Sequence, residues 1–413
     1  MLILIVGINS APELAGIGKY TGEMAEWLAD RGHEIRVVTA PPYYPAWRVW
    51  EGYSAWFYRR ECLKGVKVYR CPLWVPGKAS GIKRLIHLAS FAISSIPVLL
   101  TQVIWKPQVV INIAPAFFTA PAALLAARLS GAKAFLHIQD FEVDAAFALG
   151  LLKMTALQRL VGFLESWILR RFDRVSTISH RMLENLWKKG VPESRSVLFP
   201  NWADMELIYP LQGPSPMRRE LGIPSDTVVA LYSGNMGQKQ GLEILIDVAR
   251  KLKSNAEIQL VLCGEGVDSS RIKSMASDLA NVICIPLQPT EKLNDLLNLA
   301  DIHLLPQRSD VADLVMPSRL TGILASGKPV VATAHLGTEV DFVVKSRGIV
   351  VTPGDADAFA DALLWLVKQP KERQRLGEAG RDFAVEKMSK KRILSQFENL
   401  LIELIVGDVG NPD

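Results

Sequence analysis

Short apolar runs alternate with amphipathic segments through most of the chain. Residues 2–8 (LILIVGI) are continuously apolar, as a strand buried on both faces of a parallel sheet requires. Residues 9–18 form a loop containing glycine and proline. Residues 19–30 place apolar side chains at helical spacing, and Arg31-Gly32 ends that helix. Residues 34–40 return to strand, so the opening is β–loop–α–β, the start of a doubly wound sheet. Further strands are expected at 109–113, 134–138 and 174–178. A helix is expected from Ser179 to Lys189, stopped by Gly190-Val191-Pro192, with a strand at 196–199. Residues 200–216 (PNWADMELIYPLQGPSP) hold four prolines and have the composition of a linker. The pattern then restarts with strand 228–233, loop 234–241, helix 242–253 and strand 258–263, followed by a Gly264-Glu265-Gly266 turn. Short strands follow at 282–285, 302–305, 329–332 and 348–351, and residues 355–406 read as mostly helical. The expected architecture is α/β, with two Rossmann-like, doubly wound domains facing a central cleft. The first spans 1–200 and the second 217–385. Residues 201–216 join them, and a C-terminal helix within 386–413 packs back toward the first.

Length and composition agree with this. The 413 residues are 49% hydrophobic and 22% charged, a globular mixture that excludes disorder and fibrous repeats as the main state. Net charge is only +5, but it is unevenly spread: residues 1–200 carry 24 Lys/Arg against 14 Asp/Glu, and residues 201–413 carry 23 against 28. A basic first half suggests a surface meeting something anionic. The four cysteines, Cys62, Cys71, Cys263 and Cys284, form no C-x-x-C and no disulfide framework, which points to a reducing cytosol. The apolar N-terminus lacks a basic flank and reads as a first strand rather than a signal peptide.

Four segments carry a family resemblance: PELAGIGKYTGEMAEWLADRGHEIRVVTAPPYYP, RVSTISHRMLENLWKKGVPESRSVLFPNWAD, YSGNMGQKQGLEILIDVARKL, and PSRLTGILASGKPVVATA with GIVVTPGDADAFADAL. Together and in this order they resemble the family-4 glycosyltransferases of GT-B fold, and within these the bacterial exopolysaccharide, colanic acid and O-antigen enzymes. The resemblance implies a retaining, metal-independent hexosyltransferase. It would move a sugar from a UDP- or GDP-linked donor, bound by the second domain, to a polyprenyl-diphosphate-linked saccharide bound by the first. The alternatives are a nucleotide-sugar epimerase of the same fold and a non-catalytic nucleotide-sugar-binding subunit.

Site candidates follow from chemistry and resemblance together. In the 9–18 loop, Gly16 and Gly18 would let backbone approach donor phosphates at a helix start, and Asn9 and Glu13 would face the acceptor. In the loop Gly234-Asn235-Met236-Gly237-Gln238-Lys239-Gln240-Gly241, the glycines shape a turn. Lys239 would stabilise the departing diphosphate, while the family's usual Arg and Lys positions hold Asn235 and Gln240. The family's paired glutamates correspond to Leu314 and Gly322, so Ser318 and Arg319 become the donor-phosphate candidates; Ser318 is equally explained as a helix N-cap. Glu265 either approaches the nucleotide or simply makes a turn. His137 and Asp140, at the end of a strand, would face the acceptor, with Asp140 as a base or hydroxyl anchor. Glu142 and Asp144 lie nearby. Asp355-Ala356-Asp357 is formally a D-x-D, but it opens a helix, where capping explains it, so no metal site is expected.

Residues 43–58 hold eight of the chain's 32 aromatics, and nine Lys/Arg lie between Arg48 and Arg84. An apolar stretch over 85–105 follows, interrupted by His87, Ser94, Ser95, Pro97 and Gln102. Residues 43–105 are therefore expected to bind a membrane surface peripherally, at the inner face of the cytoplasmic membrane, rather than to span it. No nucleic-acid module accompanies the basic stretch, and no nucleic-acid partner is expected.

Overall fold

The computed structural model describes residues 1–14, 16–77, 81–114, 117–141, 155–237, 240–308 and 317–407. The chain forms two compact units. The first comprises residues 1–200 and the chain from Leu394 onward; the second is Asn201–Ile393.

The first unit is built on an eight-stranded sheet: β1 (Leu2–Val6), β2 (Glu34–Thr39), β3 (Arg59–Leu63), β4 (Val66–Arg70), β5 (Val109–Ala114), β6 (Lys133–Ile138), β7 (Arg174–Thr177) and β8 (Ser196–Leu198), in the order β3-β4-β2-β1-β5-β6-β7-β8. Only the β3–β4 hairpin is antiparallel. Its helices are α1 (Gly16–Asp30), α2 (Gly81–Val103), α3 (Ala120–Ser130), α4 (Thr155–Leu169) and α5 (His180–Lys188). Right-handed crossovers place α1 on one face of the sheet and α2, α3 and α4 on the other, because their strand steps run in opposite directions. Continuous apolar sequence makes the central strands: all six residues of β5 are buried. Ser179 caps α5 by accepting from the Met182 N–H.

The second unit has a six-stranded, all-parallel sheet of order β11-β10-β9-β12-β13-β14. Its strands are β9 (Val228–Ser233), β10 (Ile258–Cys263), β11 (Val282–Ile285), β12 (Ile302–Leu305), β13 (Val330–Thr333) and β14 (Gly348–Val351). The helices are α6 (Pro216–Glu220), α7 (Glu243–Lys251), α8 (Ser269–Ala276), α9 (Leu293–Leu299), α10 (Arg319–Ala325), α11 (Glu339–Val344), α12 (Ala356–Lys368), α13 (Pro370–Lys387) and α14 (Lys390–Val406). This strand order is the doubly wound arrangement, which gathers ligand loops at the carboxyl ends of the strands. The last helix, α14, begins in the second unit and ends in the first, where Phe397 stacks on Phe199 at 4.1 Å.

Two segments differ from their composition. Residues 201–216 are not a free tether: Trp202, Ala203 and Ile208 are buried, and the N–H groups of Tyr209 and Leu211 donate to Asn294 and Asn298. Prolines there shape a packed strap. The basic, aromatic stretch contains the β3–β4 hairpin. Its aromatics divide: Tyr43 is buried and packs with Trp47 on His87, whereas Trp56, Phe57 and Tyr58 are exposed.

Helix α2 is the one described helix long and apolar enough to cross a membrane by length and composition, with mean hydropathy 1.6. It turns His87, Ser95 and Gln102 inward and leaves Ile82 and Ile93 about 75% and 69% exposed. The carbonyl of Trp74 can only accept, so His87 Nδ1 carries the proton and Nε2 accepts from the Tyr43 hydroxyl.

Burial holds three histidines neutral, with His87 pushed down to about 4 and His137 and His303 to about 3. Each titrates near 6.5 when unfolded. The unfolded chain therefore binds more protons below that value, and stability is lost as pH falls from about 6.5 toward 4. Glu13, held above its usual range by burial, opposes this by at most one proton. Denaturant midpoints should thus fall from pH 7 to pH 5 with an uptake of about two to three protons. His87→Asn should remove one of them; a flat profile would mean that these histidines are charged in the fold.

Candidate functional site

In the first unit the chemistry gathers where β1, β2 and β6 end. Glu13, on the loop after β1, is 2% exposed. Its Oε1 accepts from the N–H groups of both Tyr43 and Tyr44 at 2.9 Å, and its Oε2 accepts from Asn9 Nδ2 at 2.9 Å. Burial raises its pKa; these donors and the nearby Arg70 cation pull it back. Arg70, at the end of β4, donates to the carbonyls of Ala11 and Ala40 and pairs with Glu61, which fixes the same loop from below. Tyr44 is half-buried, and its hydroxyl is held above the ordinary phenol range first by desolvation, then by the charges of Asp140 and Glu13. The Asn9–Glu13 loop, the Tyr43-Tyr44 turn and Asp140 thus form one cluster.

This geometry gives several of the expected site residues protein partners. Asn9 and Glu13, expected at the acceptor, bond to each other, and Glu13 is fully engaged by protein donors. At Gly18 a Cβ would lie 2.5 Å from Glu13 Oε2, so the missing side chain makes room for that carboxylate. Gly16 opens α1 with its vacant side against the Tyr44 ring. His137, also expected at the acceptor, is a core histidine. It is 3% exposed, hydrogen-bonded through Nδ1 to Ser176 Oγ at 2.8 Å, with its ring tilted against Phe199 at 4.9 Å. Gln139, just past the strand, is buried as well, whereas Asp140 is half-buried and its charge acts on Tyr44 of the loop cluster.

In the second unit the loops after β9 and β10 interlock. The Gly234 N–H donates to Cys263 O, Met236 N–H to Glu265 O and Asp268 N–H to Met236 O. A Cβ on Gly264 would sit 1.9 Å from Gly234 O, so only glycine lets the two backbones meet. The Gly237 N–H donates to Gln240 Oε1, and Asn235 and Glu265 stand at the surface of this pair of loops.

Arg319, at the start of α10, braces the loops. Its Nη1 donates to the Tyr232 hydroxyl at 2.7 Å, its guanidinium lies over the Tyr232 ring, and its Nη2 donates to Pro306 O. Tyr232 in turn donates to Asn235 O at 2.6 Å. Arg319 Nε is buried and has no partner, and among the described residues no carboxylate pairs with this cation. Ser318 occupies the N-cap position without making a cap bond, so capping does not explain it. At Gly322 a Cβ would touch Leu297 and Ile208 of the core, so that position faces inward. Lys239, Leu314, Glu142 and Asp144 lie outside the described residues. Tyr232, Tyr43 and Arg70 were not legible as site residues. Their partners are distant in sequence, and only the position of Tyr232 one residue before a strand end gave a signal.

Asp355 caps α12 through the Ala358 N–H at 2.8 Å, and Asp357 pairs with Lys251, so both aspartates of the D-x-D have structural partners. Among the described residues no group of three or more His, Cys, Asp or Glu is placed to hold a metal.

Comparison with known proteins matches residues 15–202 to the glycosyl transferase 4-like domain and residues 215–383 to the glycosyl transferases group 1. The chain is 42% identical to WcaI of Escherichia coli (strain K12), a glycosyl transferase assigned to colanic acid biosynthesis, over 97% of this chain and 99% of that one. It is 21% identical to the N-acetyl-alpha-D-glucosaminyl L-malate synthase of Bacillus anthracis over 98% of each. Among solved structures it superposes on a sucrose-phosphate synthase from Thermosynechococcus elongatus (TM-score 0.76, 19% identity, covering 98% of this chain and 99% of that). It also superposes on Anabaena Alr3699/HepE in complex with UDP (TM-score 0.70, 15% identity, covering 98% and 100%). These likenesses show the GT-B type of fold, with two parallel-sheet α/β domains.

Proposed function

Because the chain belongs to the group 1 glycosyltransferases, we propose that it transfers a sugar from a nucleotide diphosphate donor to a lipid-linked saccharide in bacterial surface polysaccharide synthesis. The observation that carries the donor half is Arg319: a cation without a carboxylate partner among the described residues, with a buried, unused Nε–H beside the Gly234 and Ser318 backbone. An anionic diphosphate is the partner such a group lacks. Lys239, on the loop after β9, supplies a second charge as the diphosphate leaves, and no resident metal is assigned to that task. In the first unit Asp140 holds the acceptor hydroxyl in place. We assign retention of configuration by a front-face route, in which the leaving diphosphate takes up the acceptor proton. We read residues 43–105 as resting on the membrane surface, a reading supported by the exposed Trp56, Phe57 and Tyr58 and the outward side of α2.

Thermal midpoints with UDP, GDP, dTDP and their sugars test the donor assignment, because a ligand that binds only the folded chain raises the midpoint, by about 2.7 kcal/mol of stabilisation at a hundredfold excess over Kd. One nucleotide should give a selective shift, and EDTA should leave it unchanged. No shift with any of them would refute a donor site and favour the non-catalytic subunit.

A further inference from the structure

The strand-end loops of the first unit hold polar groups that the protein itself does not use. Ser10, on the loop after β1, is 3% exposed, and its hydroxyl makes no hydrogen bond among the described residues. Gln139, the first residue after β6, is 6% exposed. Its backbone N–H donates to Ala114 O, but its side-chain amide has no partner among the described residues. Neither group is sealed from solvent, so both face open space. Asn9 gives its Nδ2 to Glu13 and leaves its side-chain carbonyl oxygen unengaged. The hydroxyl of half-buried Tyr44 is unpaired as well, whereas that of Tyr43 is turned to His87. Packing hydroxyls and amides away without partners costs free energy, and a bound ligand removes that cost.

The register of the sheet brings these groups to one height. Both β1 and β6 pair with β5, where Val6 and Leu136 share the partner Asn112. That register, carried three and four residues on, sets Asn9 level with Gln139 and Ser10 level with Asp140. The two strands lie two spacings apart, roughly 10 Å, which one sugar ring spans with a hydrogen bond at each side. On the far side of β1, β2 leads to Tyr44, whose N–H is held by Glu13 Oε1 at 2.9 Å and whose ring rests against Gly16. The chemistry is selective. Hydroxyl, phenol and amide each both donate and accept. A sugar hydroxyl does the same, whereas a phosphate or carboxylate only accepts and would leave the carbonyl oxygens of Asn9 and Gln139 unpaired.

We propose that Ser10, Gln139, the Asn9 carbonyl and the Tyr44 hydroxyl read the hydroxyl groups of one uncharged sugar, the terminal residue of the acceptor, and that Gln139 sets which sugar is taken. This rests on the acceptor half of the function proposed above and adds the substrate class and the residues that choose it. Gln139 adjoins Asp140, which holds the accepting hydroxyl, so its amide meets the neighbouring ring hydroxyl, whose configuration separates one sugar from its epimer. The test is saturation-transfer NMR of the full chain with the methyl glycosides of glucose, galactose, mannose and fucose, and with glucose 1-phosphate and methyl glucuronide as charged counterparts. Thermal midpoints with UDP, GDP and their sugars are measured alongside. The wild type should bind one neutral glycoside best, and more tightly than either charged sugar. Gln139→Met and Ser10→Ala should each weaken that glycoside about five- to tenfold, and Gln139→Met should narrow the gap between epimers. The nucleotide shift should be unchanged in both. Because the fold leaves the amide unpaired, Gln139→Met should be at least as stable to urea as the wild type; a clearly less stable variant would show that the fold needs the amide and overturn its assignment to a ligand. Equal glycoside binding by wild type and variants would overturn the subsite and leave the acceptor reading standing. Tighter binding of the charged sugars would assign these groups to an anion and overturn the neutral class. A loss confined to the extra shift of nucleotide sugars over bare nucleotides would assign them to the donor sugar and overturn the acceptor role. No sugar binding in a chain that still responds to a nucleotide would overturn the subsite alone, and no response to either would overturn the function on which it rests.

Discussion

Arg319→Ala should lower kcat/KM for sugar transfer by about 10²–10³, the range found when one preorganised group facing developing charge is removed, about 2.7–4 kcal/mol. The guanidinium cannot lose its proton, and the described residues offer it a phenol hydroxyl, a carbonyl and a ring face but no carboxylate. It is therefore an uncompensated charge in a half-buried setting, at the point where the loops after β9 and β10 meet the start of α10. The leaving diphosphate gains charge in the transition state, so the loss should fall mainly on kcat, with a smaller change in donor Kd. Arg319→Lys keeps the charge but not the fork that holds Tyr232 and Pro306, and should recover only part of the activity. Tyr232→Phe removes the hydroxyl between Arg319 and Asn235 O and should act through position, raising donor KM more than it lowers kcat. Steady-state kinetics on folded variants decide the matter. An Arg319→Ala enzyme within threefold of wild type would remove the cation from the reaction.

How far the sequence carries depends on where each residue finds its partner. The strands β1, β5, β6, β9 and β10 are legible because a buried parallel strand must be apolar throughout, and the Ser179 cap is legible because its partner lies three residues on. The β3–β4 hairpin is hidden because charged edge strands read as basic surface: Arg59, Arg60, Lys64 and Lys67 guard an edge. The site is less legible than the fold. Gly18 sits in a loop-to-helix turn that suggests ligand approach, yet its missing side chain makes room for Glu13. His137 at a strand end suggests chemistry, but β6 is covered on both faces and the ring bonds to Ser176 on the neighbouring strand. The Tyr232–Arg319 pair joins residues 87 apart. Gly264 is the opposite case, because a glycine in a turn after a strand signals close backbone approach, and a neighbouring carbonyl does fill that space.

Glu13→Ala should be the most damaging single change in the first unit. It strips the acceptor from three N–H donors, on Tyr43, Tyr44 and Asn9, and removes the buried countercharge near Arg70. Orphaning these three donors, at about 1–3 kcal/mol for each buried group, costs about 3–5 kcal/mol in all, against a total stability of about 5–15 kcal/mol. The variant should unfold at a markedly lower urea concentration and lose turnover even where it remains folded, because the Tyr43-Tyr44 turn beside Asp140 is no longer held. Glu13→Gln separates charge from geometry. Its carbonyl oxygen can face the two backbone amides while the Asn9 amide turns to accept from its NH2 group, so only the attraction to Arg70 is lost. Burial already raises the Glu13 pKa, which reduces what the charge contributes, and the glutamine variant should cost only about 1–2 kcal/mol. If alanine and glutamine destabilise equally, the charge rather than the hydrogen-bond geometry holds the loop. If alanine is as stable as the wild type, the Asn9–Glu13 loop is not anchored by this carboxylate, and the roles assigned to Tyr44 and Asp140 beside it lose their support.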